Sequence, residues 1–356
     1  MSILKRLMLI CVVMFASVSM LAAQSTEEPV EPTEEAAAES ACAEGEKSLQ
    51  HALGELCLPA DAERVVALEW GYVEALLAVG VQPVGVSDIA GYNAWVKIPL
   101  ALDENVADVG SRAEPNLEAI TALDPDLILA VSFRVVQNYD ELNAIAPTLV
   151  FNPYPEDLNI SQYDDMIATF NTIAQAVGRE AEAEAVLDHM EGLYERAETA
   201  LTDAGRDGEA FILSQGWTSD SVVTFRLFTD NAMAVQILEQ VGMENAWDDV
   251  PQLYGFTEIG IEGFAELQDD EFNFYYVAQG TDNDFFAESP LWSGMKFVQQ
   301  ERAYWLGGDV WLFGGPLSAE VLVETVLGHM GIELPEEEPA EATVEPTAEP
   351  TAEVSE

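Results

Sequence analysis

From Arg64 onward, short runs of apolar and β-branched residues alternate with stretches in which apolar residues return every three or four positions. Arg64-Val-Val-Ala-Leu68, Pro83 to Ser87, Asp126 to Val131 and Thr148 to Phe151 read as strands, and Gly71 to Val79, Asn116 to Leu123 and Val135 to Ile145 as helices. Gly80 stands just past its helix and Pro125 stops the next, as helix-end chemistry favours. Strands separated by short helices predict a mostly parallel sheet covered on both faces.

Two longer helical stretches follow, Gln162 to Ala176 and Glu180 to Asp203, divided by Val177-Gly178-Arg179. In the second, Ala183, Val186, Leu187, Met190, Leu193, Tyr194, Ala197 and Leu201 form one apolar stripe on an otherwise charged helix. Its length, about 36 Å at 1.5 Å per residue, exceeds the width of one small domain and predicts a rigid connector. The alternation then resumes: strands Ala210 to Ser214, Val222 to Phe228, Phe272 to Val277 and Ala303 to Leu306, and helices Ala232 to Val241, Pro290 to Gln299 and Ala319 to Met330. Ser289-Pro290 places a capping hydroxyl before a proline at the first helical position. The expected fold is α/β, two Rossmann-like lobes with mostly parallel sheets joined by a single long connector helix. The lobes are expected over 48–158 and 206–332, with the helical region over 159–205. Glu118-Ala-Ile-Thr-Ala-Leu123 and Glu262-Gly-Phe-Ala-Glu-Leu267 echo one another, each a short helix that opens with Glu and feeds a buried strand.

The ends differ from this pattern. Lys5-Arg6, an apolar run from Leu7 to Ala23 and the small residues Leu21-Ala22-Ala23 read as an export signal over 1–23. Gln24 stands where a lipoprotein would carry Cys, so this signal does not predict lipid attachment. The expected location is extracytoplasmic, either periplasmic or associated with the cell surface. Acidic low-complexity segments over 24–47 and 333–356, built from Glu, Pro, Thr and Ala, are expected to be disordered. Beyond the signal only Cys42 and Cys57 remain, and in an exported chain such a pair argues for a disulfide closing a loop of about 15 residues.

Charge narrows the partners. The 356 residues hold 13 Lys+Arg against 65 Asp+Glu, a formal net charge of −52. Seventeen of the acids belong to the two tails, and Ser48 to Ile332 still carries 48 acids against ten bases, a net −38. Such a surface repels phosphate backbones and anionic lipids, which excludes nucleic-acid binding and electrostatic adsorption to membranes. The chain contains no Walker loop, GxGxxG, GxSxG or HExxH, and its three His form no spaced ligand set. No catalytic residue and no metal site is expected.

What stands out is aromatic residues near strand ends: Trp95 in a loop, Trp217 after a strand, Tyr254 in Gln252-Leu-Tyr-Gly-Phe256, and Trp311 with Phe313 between glycine-rich turns. Ligands of open α/β sheets bind beyond the carboxyl ends of the strands, and aromatic walls suit a bulky, partly apolar ligand. For each aromatic taken alone, a place in the core is the competing reading. Arg112, in Val109-Gly-Ser-Arg-Ala-Glu-Pro115, reads either as a donor to ligand oxygens or as half of a salt bridge, and Arg134 follows the next strand in the same way.

Arg64-Val-Val-Ala-Leu68, Leu76 to Val86, Asp108 to Glu118, Leu123-Asp-Pro-Asp-Leu-Ile128, Ile145-Ala-Pro-Thr148 and Trp311-Leu-Phe-Gly-Gly315 together resemble iron-siderophore substrate-binding proteins of ABC importers. The resemblance runs from about Leu49 to Met330 in unbroken order and, within the family, is to the ferric-hydroxamate-binding proteins. It implies the helical-backbone, class III fold, a cleft between the lobes, and a monomer that delivers a ferric siderophore to a permease and its ATPase, with no cofactor of its own. It further implies that Trp95, Arg112, Tyr254, Trp311 and Phe313 face the cleft, and that Glu118 and Glu262 dock on the permease. Tyr254 stands where the hydroxamate pattern has Trp, Leu312 replaces an aromatic, and Arg134 lies where Tyr is expected. A neutral ferric trihydroxamate enters a −38 domain without long-range repulsion, unlike a trianionic catecholate. Ferric citrate, haem and cobalamin are the alternative ligands within this fold, and an exported hydrolase is the alternative outside it.

Overall fold

The computed structural model describes residues 42–220, 222–267 and 271–335. The export signal over 1–23, the spacer up to residue 41 and the tail from residue 336 lie outside the described residues.

An antiparallel hairpin, β1 (Lys47–His51) and β2 (Gly54–Leu58), opens the described chain. Cys42 and Cys57 are joined in a disulfide, their Cα atoms 5.3 Å apart. The hairpin leans on the first sheet: Ala52 N–H donates to the Val150 carbonyl at 2.7 Å, and Val150 N–H donates to His51 Nδ1 at 3.2 Å.

The first sheet is fully parallel. It contains β3 (Val65–Ala67), β4 (Gly85–Val86), β5 (Ala107–Asp108), β6 (Leu127–Val131) and β7 (Thr148–Phe151), in the order β5-β4-β3-β6-β7. Every residue of β6 and β7 is buried, as a parallel strand covered on both faces requires. The period of two sorts them. Leu127, Leu129 and Val131 pack with Tyr72, Leu76, Phe170 and Ile173 on one face, while Ile128 and Ala130 pack with Ile120, Val135 and Leu142 on the other.

The second sheet is mixed. It contains β8 (Ala210–Ser219), β9 (Val222–Phe228), β10 (Glu244–Asn245), β11 (Phe256–Gly260), β12 (Asn273–Val277) and β13 (Ala303–Trp305), in the order β11-β9-β8-β12-β13 with β10 also on β8. β8 pairs in parallel with β12 and β10 but antiparallel with β9, which pairs antiparallel with β11. Alternation again divides two cores: Phe211, Leu213, Tyr275 and Val277 on one face, Ile212, Phe274 and Tyr276 on the other.

The helix Glu180–Asp203 spans both halves. Ala183 and Val186 pack into the first lobe's core, Leu187 packs against both cores, and Met190, Leu193, Tyr194, Ala197 and Leu201 pack into the second's. Its stripe is therefore one continuous seam shared between two cores, which is what makes it a connector.

Several local expectations are corrected. β8 runs through Gly216 and Trp217 to Ser219, because the antiparallel hairpin with β9 keeps pairing as far as Ser219 opposite Val222. Trp217 thus lies within a strand. Trp95 ends a short helix, Ile89–Trp95, whose amino end is capped by Asp88 accepting from Gly91 N–H at 3.0 Å. The helix expected from Val135 to Ile145 is two, Ser132–Val135 and Tyr139–Ile145, and that from Pro290 to Gln299 breaks at Met295. Residues Ile261–Leu267 form a 3₁₀ helix.

The lobes are fastened by a fully buried carboxylate. Glu74, on the helix Trp70–Ala78, accepts from the backbone N–H groups of Gly315 and Ser318 at 2.9 and 2.8 Å, and from the Ser318 hydroxyl at 2.5 Å. These groups belong to the amino end of the helix Pro316–Met330, so Glu74 caps a helix some 240 residues away in sequence. Gly314 is required for this approach: a Cβ there would meet Ser318 Oγ at 2.3 Å and Glu74 Oε2 at 2.6 Å. Burial pushes the Glu74 carboxyl above its usual range, and the hydrogen bonds from Ser318 and Gly315 pull against that push.

Glu74→Ala orphans two buried N–H groups and is expected to cost on the order of 3 kcal/mol in chemical denaturation. Glu74→Gln keeps an acceptor without the charge. Because the folded-state pKa is raised, the wild-type contribution is full below the ordinary value of 4.5 and is lost as pH rises through the folded value. The stability of Glu74→Gln relative to wild type should therefore improve from low to neutral pH, and a pH-independent difference would contradict this account.

Candidate functional site

A cavity of about 380 Å³ opens between the lobes. The first lobe supplies the carboxyl ends of its strands. Glu69 lies just past β3, Arg112 follows β5, the short helix carrying Phe133 and Arg134 follows β6, and Tyr154 follows β7. The second lobe supplies Arg226 from β9, Tyr254 and Phe256 at the start of β11, and the loop from Trp311 to Gly315. One face of the helix Gln162–Ala176 lines it as well, through Gln162, Asp165, Met166, Thr169 and Phe170, at helical spacing.

Glu69 organises the first wall. Its Oε1 accepts from Trp70 N–H at 3.0 Å, capping the helix that Trp70 begins, and from Arg112 NH1 at 2.7 Å. Its Oε2 accepts from Arg134 Nε at 3.0 Å. One carboxylate thus holds two guanidinium groups whose other N–H donors remain for a ligand. The Arg112 guanidinium also lies 3.5 Å from the centre of the Trp70 ring, a cation–π contact that fixes its plane. Trp70 is itself pinned by its indole N–H, which donates to the Ser87 carbonyl at 3.2 Å.

Arg226 organises the second wall. Its guanidinium lies 4.4 Å from the Phe256 ring centre and 4.8 Å from that of Trp217, and it donates to Glu258 and Gln215, each at 3.2 Å. Tyr154 stands between the walls. Burial pushes its phenol up to about 12, the Glu69 charge adds to the shift, and Arg226 and Arg134 oppose it. An aromatic run crosses the cavity: Phe133 to Tyr154 at 5.6 Å, Tyr154 to Tyr254 at 5.1 Å, Tyr254 to Phe256 at 6.1 Å, Phe256 to Phe313 at 6.4 Å, Phe313 to Trp311 at 5.3 Å and Trp311 to Trp70 at 5.1 Å between ring centres. The whole is an apolar vessel with three cationic donors, able to hold a bulky ligand through its faces and to meet oxygen atoms at its arginines.

Of the residues singled out in the sequence, Arg112, Arg134, Tyr254, Trp311 and Phe313 line this cavity. The two readings of Arg112 coexist, because it makes the salt bridge and faces the cavity at once. Trp95 and Trp217 are not among the lining residues. Trp95 packs edge-on to Trp311 at 6.4 Å, and Trp217 backs Arg226, so each supports a wall from behind. Glu118 is exposed in the first turn of the helix Leu117–Ala122, behind Asn116, whose Oδ1 accepts from the N–H groups of Glu118 and Ala119, both at 3.1 Å. Glu262 is exposed in the first turn of the 3₁₀ helix. Neither belongs to the cavity. Sequence reasoning missed Glu69, Tyr154, Asp165, Arg226 and Phe256. Arg226 carried a signal, since it interrupts the apolar run Val222 to Phe228 on the face opposite Phe225 and Leu227. Glu69 carried none, because its partners lie 43 and 65 residues away.

The periplasmic binding protein family model matches residues 65–310. The iron(3+)-hydroxamate-binding protein FhuD of Escherichia coli (strain K12) is 30% identical over 275 residues, which cover 76% of this chain and 88% of that protein. The Fe(3+)-citrate-binding protein YfmC of Bacillus subtilis (strain 168) is 29% identical over 277 residues, 77% of this chain and 82% of that one. Among solved structures, the siderophore-binding protein FhuD of Vibrio cholerae bound to Fe3+-Desferal superposes with a TM-score of 0.68 at 29% identity, covering 75% of this chain and 97% of its own. With its two lobes, shared helix and aromatic, arginine-bearing cleft, this chain belongs to the periplasmic binding protein family.

Proposed function

We propose that this protein is the extracytoplasmic receptor of an ABC importer, that it captures a ferric siderophore in the cavity between its lobes, and that it delivers the complex to a membrane permease driven by its ATPase. The observation that carries the reading is the cavity itself: a run of aromatic rings along its lining, with the guanidinium groups of Arg112, Arg134 and Arg226 reaching it from the carboxyl ends of the first sheet and from β9. A ferric chelate has this complementary form, an apolar periphery around an oxygen-coordinated metal. Arg112, Arg134, Tyr254, Trp311 and Phe313 are the proposed ligand contacts, with Trp95 and Trp217 as their supports.

Hydroxamate chelates are the favoured class. The proteins named FhuD are similar along most of the chain, and a neutral complex meets no repulsion from the −38 of the folded region. Ferric citrate is the second reading, supported by the three guanidinium groups and by the similarity to the citrate-binding protein of Bacillus subtilis. Catalysis has no part in the proposal, because the relatives are binding proteins.

Trp70 and Trp311 are in edge contact at the cavity, so binding should quench tryptophan fluorescence. Titration with ferrioxamine, ferrichrome, ferric enterobactin, ferric citrate, haem and cobalamin tests the reading, which falls if no ferric chelate quenches. Glu69→Gln removes the negative charge between two guanidinium groups. It should raise affinity for anionic ferric citrate relative to ferrichrome by about five-fold, since the field of one charge acts in a partly desolvated site; an unchanged ratio of dissociation constants would show that Glu69 does not set the cavity's charge. Reversal of Glu118 and Glu262 to Lys is expected to leave ligand affinity within two-fold and to abolish uptake in cells, and normal uptake would remove them from the permease-docking surface.

A further inference from the structure

The cavity has one acidic side chain that no hydrogen bond or ion pair among the described residues answers. Glu69 is shared by Arg112 and Arg134, and Arg226 is held by Glu258 and Gln215. Asp165 also lines the cavity, from the helix Gln162–Ala176, but none of the hydrogen bonds and ion pairs among the described residues engages its carboxylate. Its place in the first turn offers a purely local role, favourable interaction with the helix dipole. Asp164 beside it is exposed in the same turn, however, and Ser161 already caps the helix by accepting from Asp164 N–H at 3.0 Å, so that end is served without Asp165. Asp165 instead shares the cavity-lining face of the helix with Gln162, Met166 and Thr169, and its charge reaches Tyr72, whose phenol, raised first by burial, it helps to push up. Burial raises the Asp165 carboxyl itself to about 6, with no cation offsetting it. A partly buried carboxylate without a protein partner is costly unless the ligand brings the counter-charge.

We propose that Asp165 is a specificity-determining residue that pairs with an ammonium group carried by the ligand, so that the cavity prefers ferric chelates bearing a pendant primary amine. This rests on the ferric-chelate reading of the cavity and deepens it. The arrangement is divided by sign: arginines on the lobe walls meet the chelate's oxygen atoms, and Asp165, on the helix face, meets the amine. The net −38 of the folded region adds a long-range attraction for a chelate of net positive charge.

The probes are ferrioxamine B, a neutral ferric trihydroxamate core with one ammonium, and its N-acetylated form, which has the same core without the charge. Fluorescence titration of the whole protein at pH 7.5 and moderate salt should give ferrioxamine B an affinity about ten-fold the higher, and Asp165→Asn should bring the two chelates to within two-fold of each other. Equal affinities in the wild-type protein would overturn the inference while leaving the siderophore reading intact, and that comparison needs no variant. A preference that survives Asp165→Asn would overturn it as well, by placing the amine elsewhere. Binding of ferric citrate but of neither ferrioxamine would overturn the inference alone, whereas no binding of any ferric chelate would overturn the reading beneath it.

Discussion

A single buried carboxylate holds the two halves of this protein in register. Glu74 sits on the helix that begins with Trp70, and it caps the helix that follows the loop from Trp311 to Gly315. Both of these segments bear walls of the cavity. Glu69 and Trp70 sit at the amino end of the first helix, while Trp311 and Phe313 lead into the second. Any shift of one helix against the other would separate Trp70 from Trp311, whose rings meet at 5.1 Å, and would expose N–H groups that have no other partner among the described residues. The connector helix supplies the apolar part of the same constraint by burying one end of its stripe in each core.

On that frame the cavity solves an electrostatic problem. The folded region is strongly acidic, yet the site presents three arginines. They are kept in place by short local contacts: Glu69 between Arg112 and Arg134, and the Trp70, Trp217 and Phe256 rings against guanidinium faces. Local geometry prevails over the global field because a contact at 3 Å in a partly desolvated wall is far stronger than charges separated by more than a Debye length, about 8 Å at physiological salt. The surface charge then governs approach, and the arginines govern fit.

Much of the architecture was legible in the sequence. The continuous apolar run from Leu127 to Val131 marked a strand buried on both faces, and the three-and-four spacing from Ala183 to Leu201 marked a helix with one seam, because burial patterns follow backbone geometry. Legibility failed where structure is short or depends on pairing. The hairpin Lys47–Leu58 has too few residues to show a period, and β8 was ended too soon because Gly216 and Trp217 look like a turn until β9 pairs with them. Trp95, read in a loop, and Trp217, read after a strand, look alike in sequence whether they line a wall of the cavity or back it.

The sequence by itself determined the class of fold, the connector, the acidity, and five of the residues that line the cavity, since each of these depends on local periodicity, composition or motif. Only the tertiary structure decided which charges meet. Glu69 with Arg112 and Arg134, Arg226 against Phe256 and Glu74 on a distant helix end are contacts between residues well separated in the chain, and Asp165 lines the cavity with no ion pair among the described residues. Such relations are fixed by where two lobes close, and closure is a property of packed surfaces that no local pattern encodes.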